Sequence, residues 1–71
     1  MTYAIVETDI YGETIIDDNC ICYLNHAYLN PSRPGFGSED MAWTTESLLE
    51  AEGMSARIER AKPRHKIIEI Y

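Results

Sequence analysis

The sequence predicts a single α+β domain over residues 1–71, a small antiparallel sheet of about four to five strands with one helix packed on one face. Three observations predict it. Segments rich in β-branched and aromatic residues lie near both ends, clusters of Asp, Asn, Gly and Pro punctuate the chain between them, and one stretch carries apolar residues at helical spacing.

Thr2–Thr8 (TYAIVET) alternates like a strand, with Ala4 and Val6 on one face and Tyr3 and Ile5 on the other. Asp9–Gly12 supplies turn chemistry, so Glu13–Ile16 is expected to return as the second arm of a hairpin. Asp17-Asp18-Asn19 breaks the chain again before Cys20–Leu24 (CICYL), which reads as a strand. The rival is a helix capped by Asp17 or Asp18, with Cys20, Leu24 and Ala27 or Tyr28 on one side and Pro31 as its stop. Asn30–Gly37 (NPSRPGFG), with two prolines and two glycines, is expected to be a surface loop and an interaction surface.

The helix is expected to end at Glu52, with Gly53 just past its last turn. Two starts are open. With Ser38 as N-cap, Met41, Thr45, Leu48 and Glu52 form a stripe flanked by Ala42 and Leu49, and Trp43 points away from the core. With Thr44 as N-cap, Trp43 precedes the cap and staples onto Leu48, which buries it. Beyond Gly53, Met54–Ala61 (MSARIERA) has Met54, Ala56 and Ile58 on one parity, Lys62-Pro63-Arg64 turns, and His65–Tyr71 (HKIIEIY) completes a terminal hairpin. Ile68 and Ile70 are its expected inward pair, with Ile67 and Tyr71 on the other face.

A chain of 71 residues has room for one modest core and none to spare for a deep catalytic cavity. Its 45% hydrophobic and 25% charged content is that of a folding sequence, not of a disordered acidic tail. No apolar run approaches the roughly 20 residues of a membrane span, and no basic-then-apolar leader opens it, so a cytoplasmic location is expected, a host's cytoplasm if a phage encodes it. Cys20 and Cys22 are too close for a useful bridge and read as free thiols of a reducing compartment.

The only candidate soft-metal set is Cys20-x-Cys22 with His26 and His65, and it lacks the paired knuckle spacing of structural zinc sites. The same cysteines with either histidine could be drawn as a nucleophile and base, but no nucleophile elbow, oxyanion loop or acidic orienter accompanies them. On a strand both cysteines share a face as small apolar core residues. Gly35-Phe36-Gly37 lacks the lysine of a phosphate cradle. The sequence therefore predicts no enzyme, no cofactor and no metal.

Charge is the more informative feature. The net charge is -6, and the first 52 residues carry ten acids against Arg33 alone. From Gly53 onward Arg57, Arg60, Lys62, Arg64 and Lys66 outnumber Glu59 and Glu69. The basic run, with His65 and Tyr71 as stacking partners, would serve a nucleic-acid binder, but direct binding is not expected because the net charge repels a phosphate backbone. With a helix from Ser38, Glu39, Trp43, Glu46 and Glu50 fall on one exposed stripe, an aromatic anchor ringed by carboxylates. Together with Asp17, Asp18 and Phe36 these residues are the candidate partner-binding set, and the expected partner is a larger basic protein or nucleoprotein complex.

In size, charge and lack of motif the chain resembles the anti-restriction and anti-CRISPR proteins of phages, a likeness of type with no shared motif and no residues to carry over. It implies an inhibitor whose carboxylates stand in for phosphates. The alternatives are a structural or regulatory subunit that uses an edge strand to form a homodimer or extend a partner's sheet, and a nucleic-acid binder using the basic C-terminal hairpin.

Overall fold

The computed structural model describes residues 1–70, so the expectations placed on Tyr71 lie outside the described residues. The fold is α+β, with one helix against a mostly antiparallel five-stranded sheet and a separate two-stranded ribbon.

The sheet is built around β1 (Tyr3–Glu7), whose Ala4, Ile5 and Val6 are fully buried. Both faces of this strand are covered, which is why its apolar residues run on without a polar break. Two strands share one of its edges, β4 (Tyr23–Leu24) at Val6 and β6 (Thr44–Thr45) at Tyr3 and Ala4. Along its other edge β7 (His65–Glu69) pairs over the full length, Tyr3 with Glu69 through Glu7 with His65. A two-residue strand, β5 (Phe36–Gly37), closes the β4 side. The Trp43 N–H donates to the Leu24 carbonyl at 2.7 Å and the His26 N–H to the Met41 carbonyl at 2.8 Å, stitching the β4 and β6 segments together.

The first expected hairpin forms only at its base. Thr8 bridges Thr14, and Asp9 Oδ1 accepts from the N–H groups of Tyr11 and Glu13 in a tight turn that needs the positive φ of Gly12. The return arm then leaves β1, and β2 (Ile16–Asp17) pairs instead with β3 (Cys20–Ile21). Asp18 and Asn19 sit at φ 50° and 62° between paired Asp17 and Cys20, the mirror-image turn that matches strand twist. Residues 20–24 are extended as two short strands, Cys20–Ile21 and Tyr23–Leu24, on either side of Cys22, and the capped-helix rival is excluded.

The helix lies later in the chain than the sequence predicts. It runs over α1 (Leu48–Ile58), with Ser47 as N-cap accepting from the Glu50 N–H at 3.1 Å, and Gly53 lies in its interior. Met54, expected on a strand, and Ile58 are buried on the helix face together with Ala51, at spacings of three and four. Gly53 costs about 1 kcal/mol relative to alanine in a helix, less than burying Met54 and Ile58 returns. The terminal hairpin is therefore absent, and the basic residues lie on the end of α1, the turn and β7.

Ser38 instead precedes a short 3-10 helix (Glu39–Met41), and Trp43 lies between extended Ala42 and the start of β6. Neither proposed helix start occurs. On the helix side Ile5, Leu24, Met54 and Ile58 form a core with Leu29, Phe36, Trp43 and Ile67 against it. On the other side Ala4, Val6 and Tyr23 pack with Ile21, Ala42, Ile68 and Ile70. Ile68 and Ile70 are thus inward as expected, but Ile67 is too, because both faces of the sheet are covered. The 30–37 loop is similarly less free than its composition suggests: Pro34 is buried, the Gly35 carbonyl accepts from Asn25, and Phe36–Gly37 is β5.

Candidate functional site

The local rule that shapes the site is the two-residue turn at Asp18-Asn19. Residues with short polar side chains tolerate left-handed backbone, and the turn holds the Asp17 and Asp18 carboxylates out in solvent. β3 continues through Cys22 into β4, and β4 carries β5 at its outer edge through Tyr23–Gly37 and Leu24–Phe36. That pairing brings the segment at residues 36–39 beside the ribbon.

The result is a pair of adjoining grooves. One, of about 280 Å3, is lined by Asp17, Asp18, Cys20, Phe36 and Ser38 among others. The other, of about 230 Å3, is lined by Asn19, Cys20, Ile21, Tyr23 and Glu39. They share Cys20 and Ile21, so the surface is continuous. The structure thus brings together Asp17, Asp18, Phe36 and Glu39 of the sequence-predicted set.

The other members fall elsewhere. Trp43 is half-buried against the helix-side core rather than displayed as an anchor. Glu46 lies in the bend before α1 and Glu50 in its first turn, where its charge complements the positive end of the helix dipole. The stripe of Glu39, Trp43, Glu46 and Glu50 therefore does not exist, because the helix that would align them starts at Leu48. Cys20, Asn19 and Ser38 are groove residues that lay outside the sequence-predicted partner-binding set. The two-residue Asp-Asn turn was a signal for the first two, whereas Ser38 is placed by a long-range strand pairing.

The cysteines are not core residues as expected: Cys20 is exposed and Cys22 half-buried. Burial, followed by the negative charges of Glu7, Asp17 and Cys20, raises the Cys22 thiol above its ordinary value of 9.0. That is the reverse of nucleophile activation. Among the described residues no group of three His, Cys, Asp or Glu side chains is placed to hold a metal ion.

A Ser–His pair does occur where the sequence offered no motif. His65 Nε2 lies 2.6 Å from Ser55 Oγ and 3.6 Å from Glu59 Oε2, and its Nδ1 meets the Lys62 carbonyl oxygen. A carbonyl only accepts, so Nδ1 carries the proton in the neutral ring and Ser55 donates to Nε2. This resembles a nucleophile and base, but the imidazole is 1% exposed and neither residue lines the acidic grooves or the grooves beside the arginines. The pair is a clasp between α1 and β7.

The basic residues are partly engaged. Lys62 Nζ stands 3.9 Å from Glu7 Oε2 and 6.0 Å from the centre of the Phe36 ring, and Lys66 Nζ donates to the Gly12 carbonyl at 3.3 Å. Arg57 and Arg60 flank a separate groove with Pro31 and Ser32, and Arg64 lines another with Glu7 and Asp9. They are spread over more than one surface and form no single basic strip.

Among the described residues no helix is long and apolar enough to cross a membrane. Comparison with known protein families, curated proteins and solved structures finds no match for the chain.

Proposed function

We propose that this protein is a non-enzymatic binding protein that docks onto a larger basic, nucleic-acid-binding partner through the acidic double groove, its carboxylates occupying positions that phosphates would take. The observation that carries the reading is the convergence of Asp17, Asp18 and Glu39 around the half-buried Phe36 and the exposed Cys20. Carboxylates steer a basic surface, and an apolar floor gives the contact an area that excludes water. The net charge of -6 adds a long-range field of the same sign. As an inhibitor, the protein would block a nucleic-acid groove by occupying it.

Affinity capture from host lysate with the tagged protein, at low and high salt, tests this beside an Asp17→Lys/Glu39→Lys variant. A captured partner that binds nucleic acid and is lost both in the variant and at high salt supports the reading. A partner indifferent to both changes overturns it. The nucleic-acid-binder alternative is less well supported, since Lys62 and Lys66 face internal partners and the arginines are dispersed.

A further inference from the structure

A groove lies just past the end of β1 and just before the start of β7, with Thr8, Ile10, Ile15, Pro63 and Arg64 among the residues that line it. We propose that it binds a small monocarboxylate with an apolar body, the carboxylate held between the Arg64 guanidinium and the Thr8 hydroxyl. Its volume, about 480 Å3, is that of a small-molecule site.

The Thr8 N–H donates to the Arg64 carbonyl at 3.0 Å, which continues the β1–β7 register one step past Glu7 and His65 and sets Thr8 beside Arg64. Thr8 is 5% exposed, yet its hydroxyl has no hydrogen-bond partner among the described residues. Among those residues no fully buried side-chain polar atom lacks a partner. The hydroxyl therefore belongs to the small part of Thr8 that still faces the groove. An unpaired polar group in so buried a residue is costly, and a ligand that pairs with it removes that cost.

Charge selects a monoanion. Lys62 pairs with Glu7 at 3.9 Å, and Asp9 Oδ1 accepts from the N–H groups of Tyr11 and Glu13. Arg64 has no ion pair or side-chain hydrogen bond among the described residues. One free guanidinium matches one negative charge, and its planar fork fits a carboxylate through two parallel N–H···O bonds. A doubly charged phosphate would bring one charge more than Arg64 neutralises, close to Asp9 and into a molecule of net charge -6. Lys66 does not make up the difference: it does not line the groove, and its Nζ donates to the Gly12 carbonyl at 3.3 Å.

The walls call for an apolar body behind the carboxylate. Ile10 is 61% exposed, Pro63 is exposed and Ile15 is half-buried, so a ligand that covers them gains apolar burial that a bare acetate ion could not. The groove beside Arg57 and Arg60 also has arginines without ion pairs, but its Ser32 is exposed and no buried polar side chain lines it. An unpaired arginine alone therefore does not make the site; the buried, unpaired hydroxyl beside it does.

Amide chemical shifts of the isotope-labelled protein, titrated with phenylbutyrate at pH 7 and constant ionic strength, test the proposal. Saturable changes should centre on residues 8–10, 15 and 62–64, and neutral phenylbutyramide should bind about tenfold more weakly or worse. Arg64→Gln should lose about tenfold or more in affinity for the carboxylate, and Thr8→Val, which keeps the shape of the side chain, about threefold to tenfold. Phenyl phosphate should bind more weakly than phenylbutyrate. The proposal is overturned by a carboxylate that binds no better than its amide, by either variant binding it like the wild type, or by phenyl phosphate binding more tightly. Changes centred on Arg57 and Arg60, or none that saturate at concentrations on the order of 10 mM, overturn it too. If Thr8→Val fails to fold, Arg64→Gln decides, because Arg64 is exposed. None of these readouts depends on the acidic groove.

Discussion

Ser55 Oγ lies 2.6 Å from Nε2 of His65, which joins the middle of α1 to the first residue of β7. The imidazole is 1% exposed and is held at its other nitrogen by the Lys62 carbonyl, so it is a buried polar group with both nitrogens satisfied. Removing one partner should cost less than removing the ring. Ser55→Ala should destabilise by about 1 kcal/mol and His65→Ala by about 2–3 kcal/mol in denaturant unfolding, because the latter also leaves a void and an unsatisfied carbonyl. A His65→Ala variant as stable as the wild type would remove the clasp from the account.

Gly53 sits in the interior of α1, exposed, and a Cβ built there meets nothing within 4 Å. Gly53→Ala should therefore raise stability by about 0.5–1 kcal/mol, through helix propensity and a less flexible unfolded chain. Were Gly53 a helix terminator in the left-handed region, as its sequence context suggests, the same substitution would destabilise. A thermal melt distinguishes the two signs.

The thiols should differ in reactivity. Cys20 is exposed, whereas burial and the nearby carboxylates of Glu7 and Asp17 hold Cys22 in its protonated form above the ordinary value of 9.0. At pH 8 iodoacetamide should modify Cys20 several times faster than Cys22, read by peptide mass spectrometry. The shift is upward, so the folded state holds this proton more tightly than the unfolded chain. The stability it contributes is complete below about pH 9 and is lost as pH rises through the folded value. Cys22→Ala should flatten that alkaline decline.

The left-handed turn at Asp18-Asn19 fixes the groove's acidic lip. Asn19→Gly should preserve the ribbon, since glycine accepts a φ of 62° without strain, whereas Asn19→Val should cost about 1–2 kcal/mol and disorder Asp17 and Asp18. Cross-strand nuclear Overhauser contacts between Ile16 and Ile21 report the outcome.

What could be read from the sequence follows from where local preference and tertiary environment agree. Residues 3–7 carry β-branched Ile5 and Val6 in a run buried at Ala4, Ile5 and Val6, and the Asp-Asn turn needs only its own two residues, so both were legible. Met54 and Ile58 are four apart, a spacing that satisfies both an even-parity strand and a helix face, and Gly53 tipped the local reading toward the wrong one. Trp43 falls inside a helix if Ser38 is the N-cap and just before one if Thr44 is, and neither start could be chosen locally because its N–H is claimed by Leu24, nineteen residues earlier in the chain. The candidate site was half legible for the same reason. Asp17 and Asp18 announce themselves, but their meeting with Phe36 and Glu39 depends on the long-range pairing of β4 with β5.

The most direct test of the acidic groove is a titration of the isotope-labelled protein with a lysine decamer at low salt, followed by amide chemical shifts. The largest changes should cluster at residues 17–21 and 36–39 and disappear at high salt. Changes centred instead on Glu46, Glu50 and Glu52, or spread evenly over every acidic residue, would contradict it.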